Sequence, residues 1–156
     1  MSFVVDIAIE KKFDVPCSAD KVFEVLADVP RSVSHFPNVN KLLDMGENTF
    51  RWEMNKLGFD KYSIQIIYAC KYVGNKEERW VKWTPIKDVG NGMIEGSWNI
   101  KQQDSGTHID FNTQGKLTIP LPALVKFIGA PIVEKEFNRL VDHYIENLKQ
   151  TFRVTD

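Results

Sequence analysis

Cysteine and histidine are both scarce in this sequence: two of the first, Cys17 and Cys70, and three of the second, His35, His108 and His143. Two distant thiols make no disulfide framework, and they share no metal-ligand spacing with the histidines. A zinc site needs several such residues to converge. His35 falls in a turn, His108 at the opening of a strand and His143 off the apolar stripe of the last helix, so no metal is expected, and no cofactor. An excess of charge is lacking too, since 20 Lys and Arg against 21 Asp and Glu leave a net −1. The basic residues are scattered, which argues against nucleic acid and against an anionic membrane surface as partner. No window reaches the ~20 apolar residues of a transmembrane helix. No Ser-His-Asp, Cys-His or Gly-rich phosphate motif stands in a fitting context, because Gly90 and Gly92 flank Asn91 in a turn and open no helix. The start "MSFVVDIAIEKKF" has no basic segment leading into an apolar, cleavable one, and the expected location is therefore cytoplasmic.

What is present is ordered. The 156 residues suit one domain over 1–156, with no repeat or linker. Residues 3–13 read as a strand. Ser18 then caps a helix with Asp20 in its first turn and Val22, Phe23, Leu26 and Val29 on one stripe. Pro30 is expected to end it, and "RSVSHF" to form a second short helix closed by Pro37. From residue 40 to about 119, alternating segments such as "NTFRWEMNKL", "KYSIQIIYACKYV", "ERWVKWTPI" and "GMIEGSWNIKQQ" are separated by turn sequences and predict an antiparallel meander. The last helix carries Val133, Phe137, Leu140, Val141, Tyr144, Leu148 and Phe152 on one face, with Pro131 expected near its first position.

This order, with "VPCSADKVFEVLADV" after the first strand, "HFPNV" at 35–39 and the closing "GAPIVEKEFNRLVDHYIENL", resembles the START-like helix-grip superfamily (SRPBCC). Within it the chain is similar to polyketide cyclase/dehydrase-like proteins and to those resembling the G component of carbon monoxide dehydrogenase. Asn38 stands where glycine is common in that segment, and His35 where an aromatic or cysteine is often found. The resemblance implies an α+β fold. A curved antiparallel sheet of about seven strands would wrap a long C-terminal helix, with two short helices after strand 1. It implies a cavity between sheet and helix that takes hydrophobic ligands, lipids among them, and in some members hosts cyclisation, aromatisation or dehydration.

The residues allow several readings. Trp52, Trp83, Trp98, Tyr68, Tyr72 and Phe111 either line such a cavity, with the tyrosine hydroxyls as polar handles, or fill a core. Trp80 and Trp83 differ in parity, so the spacing leaves open which half of strand 77–85 faces inward. Arg79 is a candidate for holding a ligand carboxylate, and Phe137 and Val141 would face the ligand from the last helix. Glu95 is either solvated or, if the sheet curls to bring it inward, a general acid or base. The greasy, proline-broken stretch "LTIPLPALVKFIGAPIVEKEF" offers three readings. Leu124, Phe127 and Ile128 form a cavity lip, pack on the core, or dock a protein or membrane surface through residues 121–132. The expectation for function is a carrier or sensor of a hydrophobic small molecule or lipid. A cyclase-, aromatase- or dehydratase-like enzyme and a recruiting module are the alternatives.

Overall fold

The computed structural model describes residues 2–59 and 61–153, the side chain of Phe59 excepted. Strand β1, Phe3–Val15, alternates buried and exposed side chains, turning Phe3, Val5, Ile7, Ile9, Phe13 and Val15 inward. That period of two makes it one wall of the core. Helix α1, Ala19–Ala27, is capped by the Ser18 side chain, which accepts from the Lys21 backbone at 3.2 Å, and buries Val22, Val25 and Leu26. Pro30 does not end this helix, contrary to the sequence expectation. It sits in the first turn of α2, Val29–Val33, where its missing N–H has no intrahelical partner to lose. Asp28 caps α2.

The strands follow as β2 Val39–Asp44, β3 Thr49–Met54, β4 Leu57–Phe59, β5 Tyr62–Ile64, β6 Ile67–Asn75, β7 Trp80–Pro85, β8 Gly92–Gln103 and β9 Gly106–Ile119. Seven of them form one antiparallel sheet in the order β1-β9-β8-β7-β6-β3-β2, and β4 and β5 pair separately as a small hairpin. β1 and β9 stay in register from Phe3↔Ile119 to Val15↔Thr107. The segment "KYSIQIIYACKYV" is thus broken at residues 65–66 and is not one strand. Asn91 holds the break: its Oδ1 accepts from Ile67 N–H and its Nδ2 donates to the Gln65 carbonyl, both at 2.9 Å. Asn38 has φ +61. Asparagine, like glycine, tolerates that left-handed backbone.

A short 3₁₀ turn at Ala123–Val125 leads directly into α3, Lys126–Thr151. Pro131 therefore lies inside the helix and not near its start, and the buried Gly129 is a continuous part of the same helix. A proline there deprives the Phe127 carbonyl of its helical donor. Val133, Phe137, Leu140, Val141, Tyr144, Ile145 and Leu148 are buried against the concave face of the sheet. Each buried side chain of this kind contributes ~1.5–3 kcal/mol, so this stripe, more than helix propensity, seats α3. The helix-grip arrangement is complete, with one hydrophobic cluster running through sheet and helices. Met1 and residues 154–156 of the expected 1–156 domain lie outside the described residues.

Candidate functional site

Between the sheet and α3 the core is not filled. A cavity of about 50 Å³ remains, walled by β3, β6, β7, β8 and β9 on one side and by α1, α2 and α3 on the other. Rings touch almost continuously around it. Trp52 stacks on Tyr68 with centroids 5.4 Å apart and planes 18° apart. Trp98 and Phe111 approach to 4.5 Å, and Trp83 contacts Tyr72, Trp98 and Phe111 at 5.9, 6.4 and 5.9 Å. From the other side Phe36 meets Trp52 at 5.3 Å and Tyr144 at 4.9 Å. Trp83 can reach in because its register partner is Gly96, which offers no side chain against the indole.

Nearly every lining residue is buried; Phe36 and Tyr72 are the half-buried exceptions and mark the mouth, between α2 and the β3–β6 pair. Among the described residues no charged one lines the cavity. Its polar side-chain groups are hydroxyls and the indole N–H groups of Trp52, Trp83 and Trp98. Ser32 Oγ and Tyr144 OH share a hydrogen bond that ties α2 to α3. Tyr72 OH accepts from Trp52 Nε1 at 3.0 Å, and Thr113 Oγ1 donates to the Glu95 carbonyl at 3.2 Å. The Tyr68 hydroxyl makes no hydrogen bond among the described residues. Among the described residues no fully enclosed side-chain oxygen or nitrogen lacks a partner, so this hydroxyl is not fully enclosed. Burial pushes the Tyr68, Tyr72 and Tyr144 hydroxyls well above the ordinary phenol range, the Ser32 hydrogen bond opposing the rise at Tyr144. They are neutral donors and not bases. Burial likewise pushes the Cys70 thiol up to about 12; its Sγ donates to the Ile94 carbonyl at 3.2 Å.

Of the residues singled out in the sequence, Trp52, Tyr68, Tyr72, Trp83, Trp98, Phe111, Phe137 and Val141 meet around this one cavity. The parity of β7 resolves with Val81 and Trp83 inward and Trp80 outward, where the Lys82 ammonium lies 4.3 Å from its ring centroid. Arg79 does not reach the cavity. It occupies a turn at φ +58, and its guanidinium donates to Asp20 at 3.2 Å on the surface. Glu95 points outward and is exposed, because β8 sends Ile94, Trp98 and Ile100 inward instead. Leu124, Phe127 and Ile128 are not among the residues that line the cavity and are 91%, 91% and 62% exposed. Sequence reasoning missed Ser32, Phe36 and Thr113. Tyr144, on the stripe already recognised for α3, could have been added from its spacing one turn beyond Val141 and Leu140.

Among the described residues no group of His, Cys, Asp and Glu is placed to hold a metal. His108 lies on the outer face of the β1–β9 pair, its two ring nitrogens 2.7 Å from Asp14 and 3.1 Å from Asp110. The hydrogen bond to Asp14 is the main cause raising its pKa, assisted by Asp110 and opposed by slight burial. No helix among the described residues is long and apolar enough to cross a membrane.

No family model and no curated protein matches this chain. Solved structures do. A conserved protein from Geobacillus kaustophilus superposes with TM-score 0.69 at 12% identity, over 95% of each chain. A START superfamily protein from Mycobacterium smegmatis gives 0.63 at 14% identity, over 93% of this chain and 96% of that one. The Zhui aromatase/cyclase of a Streptomyces strain gives 0.59 at 14% identity, over 93% and 90%. At such identities the likeness concerns the fold, which is START-like.

Proposed function

We propose that this chain binds a small, largely apolar molecule with a flat or ring-bearing body in the space between sheet and α3, as a carrier or sensor. One observation carries this reading: an uncharged, aromatic-walled cavity lined by Tyr68, whose hydroxyl has no partner among the described residues. Such a wall gains from dispersion and burial, and an unpaired donor fixes orientation. The free volume of about 50 Å³ is well below the ~150 Å³ at which an engineered apolar cavity accepts benzene. Binding therefore requires side chains to move, and half-buried Phe36 and Tyr72 are the ones nearest solvent. Titration with naphthalene-2-methanol, followed by tryptophan fluorescence, tests this. Saturable binding that Val141→Trp abolishes is the expected result; binding indifferent to a filled cavity overturns it. The cyclase-like alternative has less support, because the cavity wall holds hydroxyls but no carboxylate or imidazole to act as base.

A second reading has its own observation. Leu124 and Phe127 are each 91% exposed beside Ile128 at the start of α3, and side chains this large so uncovered suit contact with an apolar surface. Sedimentation with neutral phosphatidylcholine vesicles, lost in Leu124→Asp/Phe127→Asp, supports contact through residues 121–132; no sedimentation of the unaltered chain counts against a lipid surface.

A further inference from the structure

A second cavity of about 50 Å³ adjoins the aromatic one along α3, and the two share a single lining residue, Phe137, which is 6% exposed. Their chemistries differ. The first has no charged wall residue, whereas the second combines an apolar floor that includes Met54 and Leu140 with Asn38, Asn55, Lys56 and Glu136. The rim is built rather than incidental. Asn38 holds φ +61, and its carbonyl accepts from Asn55 N–H at 2.8 Å, fixing the two amide-bearing residues beside each other. Glu136 is already neutralised, since Arg139 donates to both its oxygens at 2.7 and 2.9 Å. Lys56 has no ion pair among the described residues. Among the described residues the uncompensated charge at this end is therefore positive.

We infer that Phe137 is a movable partition between two chambers that together take one amphipathic monoanion. Its ring-bearing body lies among the aromatics, and its carboxylate or similar anion lies at Lys56, Asn38 and Asn55. The inference rests on the binding proposed above and specifies its ligand class. The orientation follows from solvation. An anion in the aromatic chamber would meet no cation and lose its water, whereas Asn38, Asn55 and Lys56 are exposed and leave the anion partly hydrated. Rotation of one side chain merges the two spaces and adds the volume that the ring vacates, which answers the shortage of room in either chamber alone.

Calorimetric titration with two probes of one shape tests the inference: naphthalene-2-carboxylate and the neutral naphthalene-2-methanol. The carboxylate is expected to bind more tightly. Lys56→Gln, a surface change that leaves the core intact, is expected to weaken it roughly tenfold, the scale of a charge-assisted hydrogen bond, with no effect on the alcohol. Raising salt from about 50 to about 500 mM should weaken the carboxylate alone, by screening. Phe137→Leu, which narrows the partition without emptying it, should tighten both probes. If the alcohol binds but Lys56→Gln shifts both probes equally or neither, the anion end is wrong while the cavity reading stands. If Phe137→Leu leaves both affinities unchanged, the partition is wrong. If neither probe binds, both readings fall together.

Discussion

Trp83 and Gly96 are paired across β7 and β8, and the indole occupies the space a side chain at Gly96 would need. A Cβ there would lie 2.6 Å from Trp83 Cζ2 and closer still to the Asn112 carbonyl oxygen. Gly96→Ala must therefore push both the ring and the backbone. The expected loss is ~1–3 kcal/mol in stability, as for other overpacked cores, read as a lower urea midpoint. An unchanged midpoint would show that the sheet gives way there without strain.

Two tyrosines in the same cavity should respond oppositely to loss of the hydroxyl. Tyr144→Phe breaks the hydrogen bond to Ser32 and leaves a buried serine unsatisfied, so a loss of ~1–3 kcal/mol is expected. Tyr68→Phe removes a hydroxyl that has no partner among the described residues, and stability should stay level or rise. Thermal unfolding of the two variants side by side checks the contrast; equal losses would contradict it.

His108 makes stability depend on pH in a definite direction. Its folded pKa is raised above the ordinary 6.5 by Asp14 first and Asp110 second. The unfolded chain therefore binds the proton less tightly. The stabilisation is fully present below the ordinary value and fades as pH rises through the raised one. The stability deficit of His108→Gln relative to the unaltered chain should be largest below the ordinary 6.5 and shrink as pH rises through the raised value. A deficit that grows with pH would reverse the assignment.

Leu124→Asp/Phe127→Asp should leave folding untouched. Side chains 91% exposed carry almost no burial energy, and surface changes of this kind usually stay within about 0.5 kcal/mol. Urea denaturation of the double variant measures this, and a drop beyond about 1 kcal/mol would mean that the pair packs on the core after all.

The element order was legible because the alternation of β1 and the stripe of α3 are long, and the helix-grip arrangement followed from the family resemblance that this order and its motifs carry. Where a segment is short or both faces carry aromatics, periodicity decides less. In β7, Trp80 and Trp83 compete for the inner face over six residues, and the pairing with β8 chooses Trp83. Helix α2 has five residues, too few to show a period, and Phe36 lies beyond its end, so neither Ser32 nor Phe36 gave a sign of facing the cavity. The break before β6 depends on Asn91, about 25 positions away, and no local pattern announces a clasp of that kind. Pro131 misled for a different reason: proline is usually read as marking a helix start, yet the 3₁₀ turn carries the chain into α3 five residues earlier.

Cys70 bridges β6 to the Ile94 carbonyl of β8 with a fully buried thiol. Burial pushes it up to about 12, so it holds its proton at any physiological pH and presents no nucleophile to solvent. Iodoacetamide can reach it only when the sheet parts at that point. The rate of alkylation is then a clock for the opening of the cavity wall, and a bound molecule that braces the sheet would slow that clock without touching the sulfur.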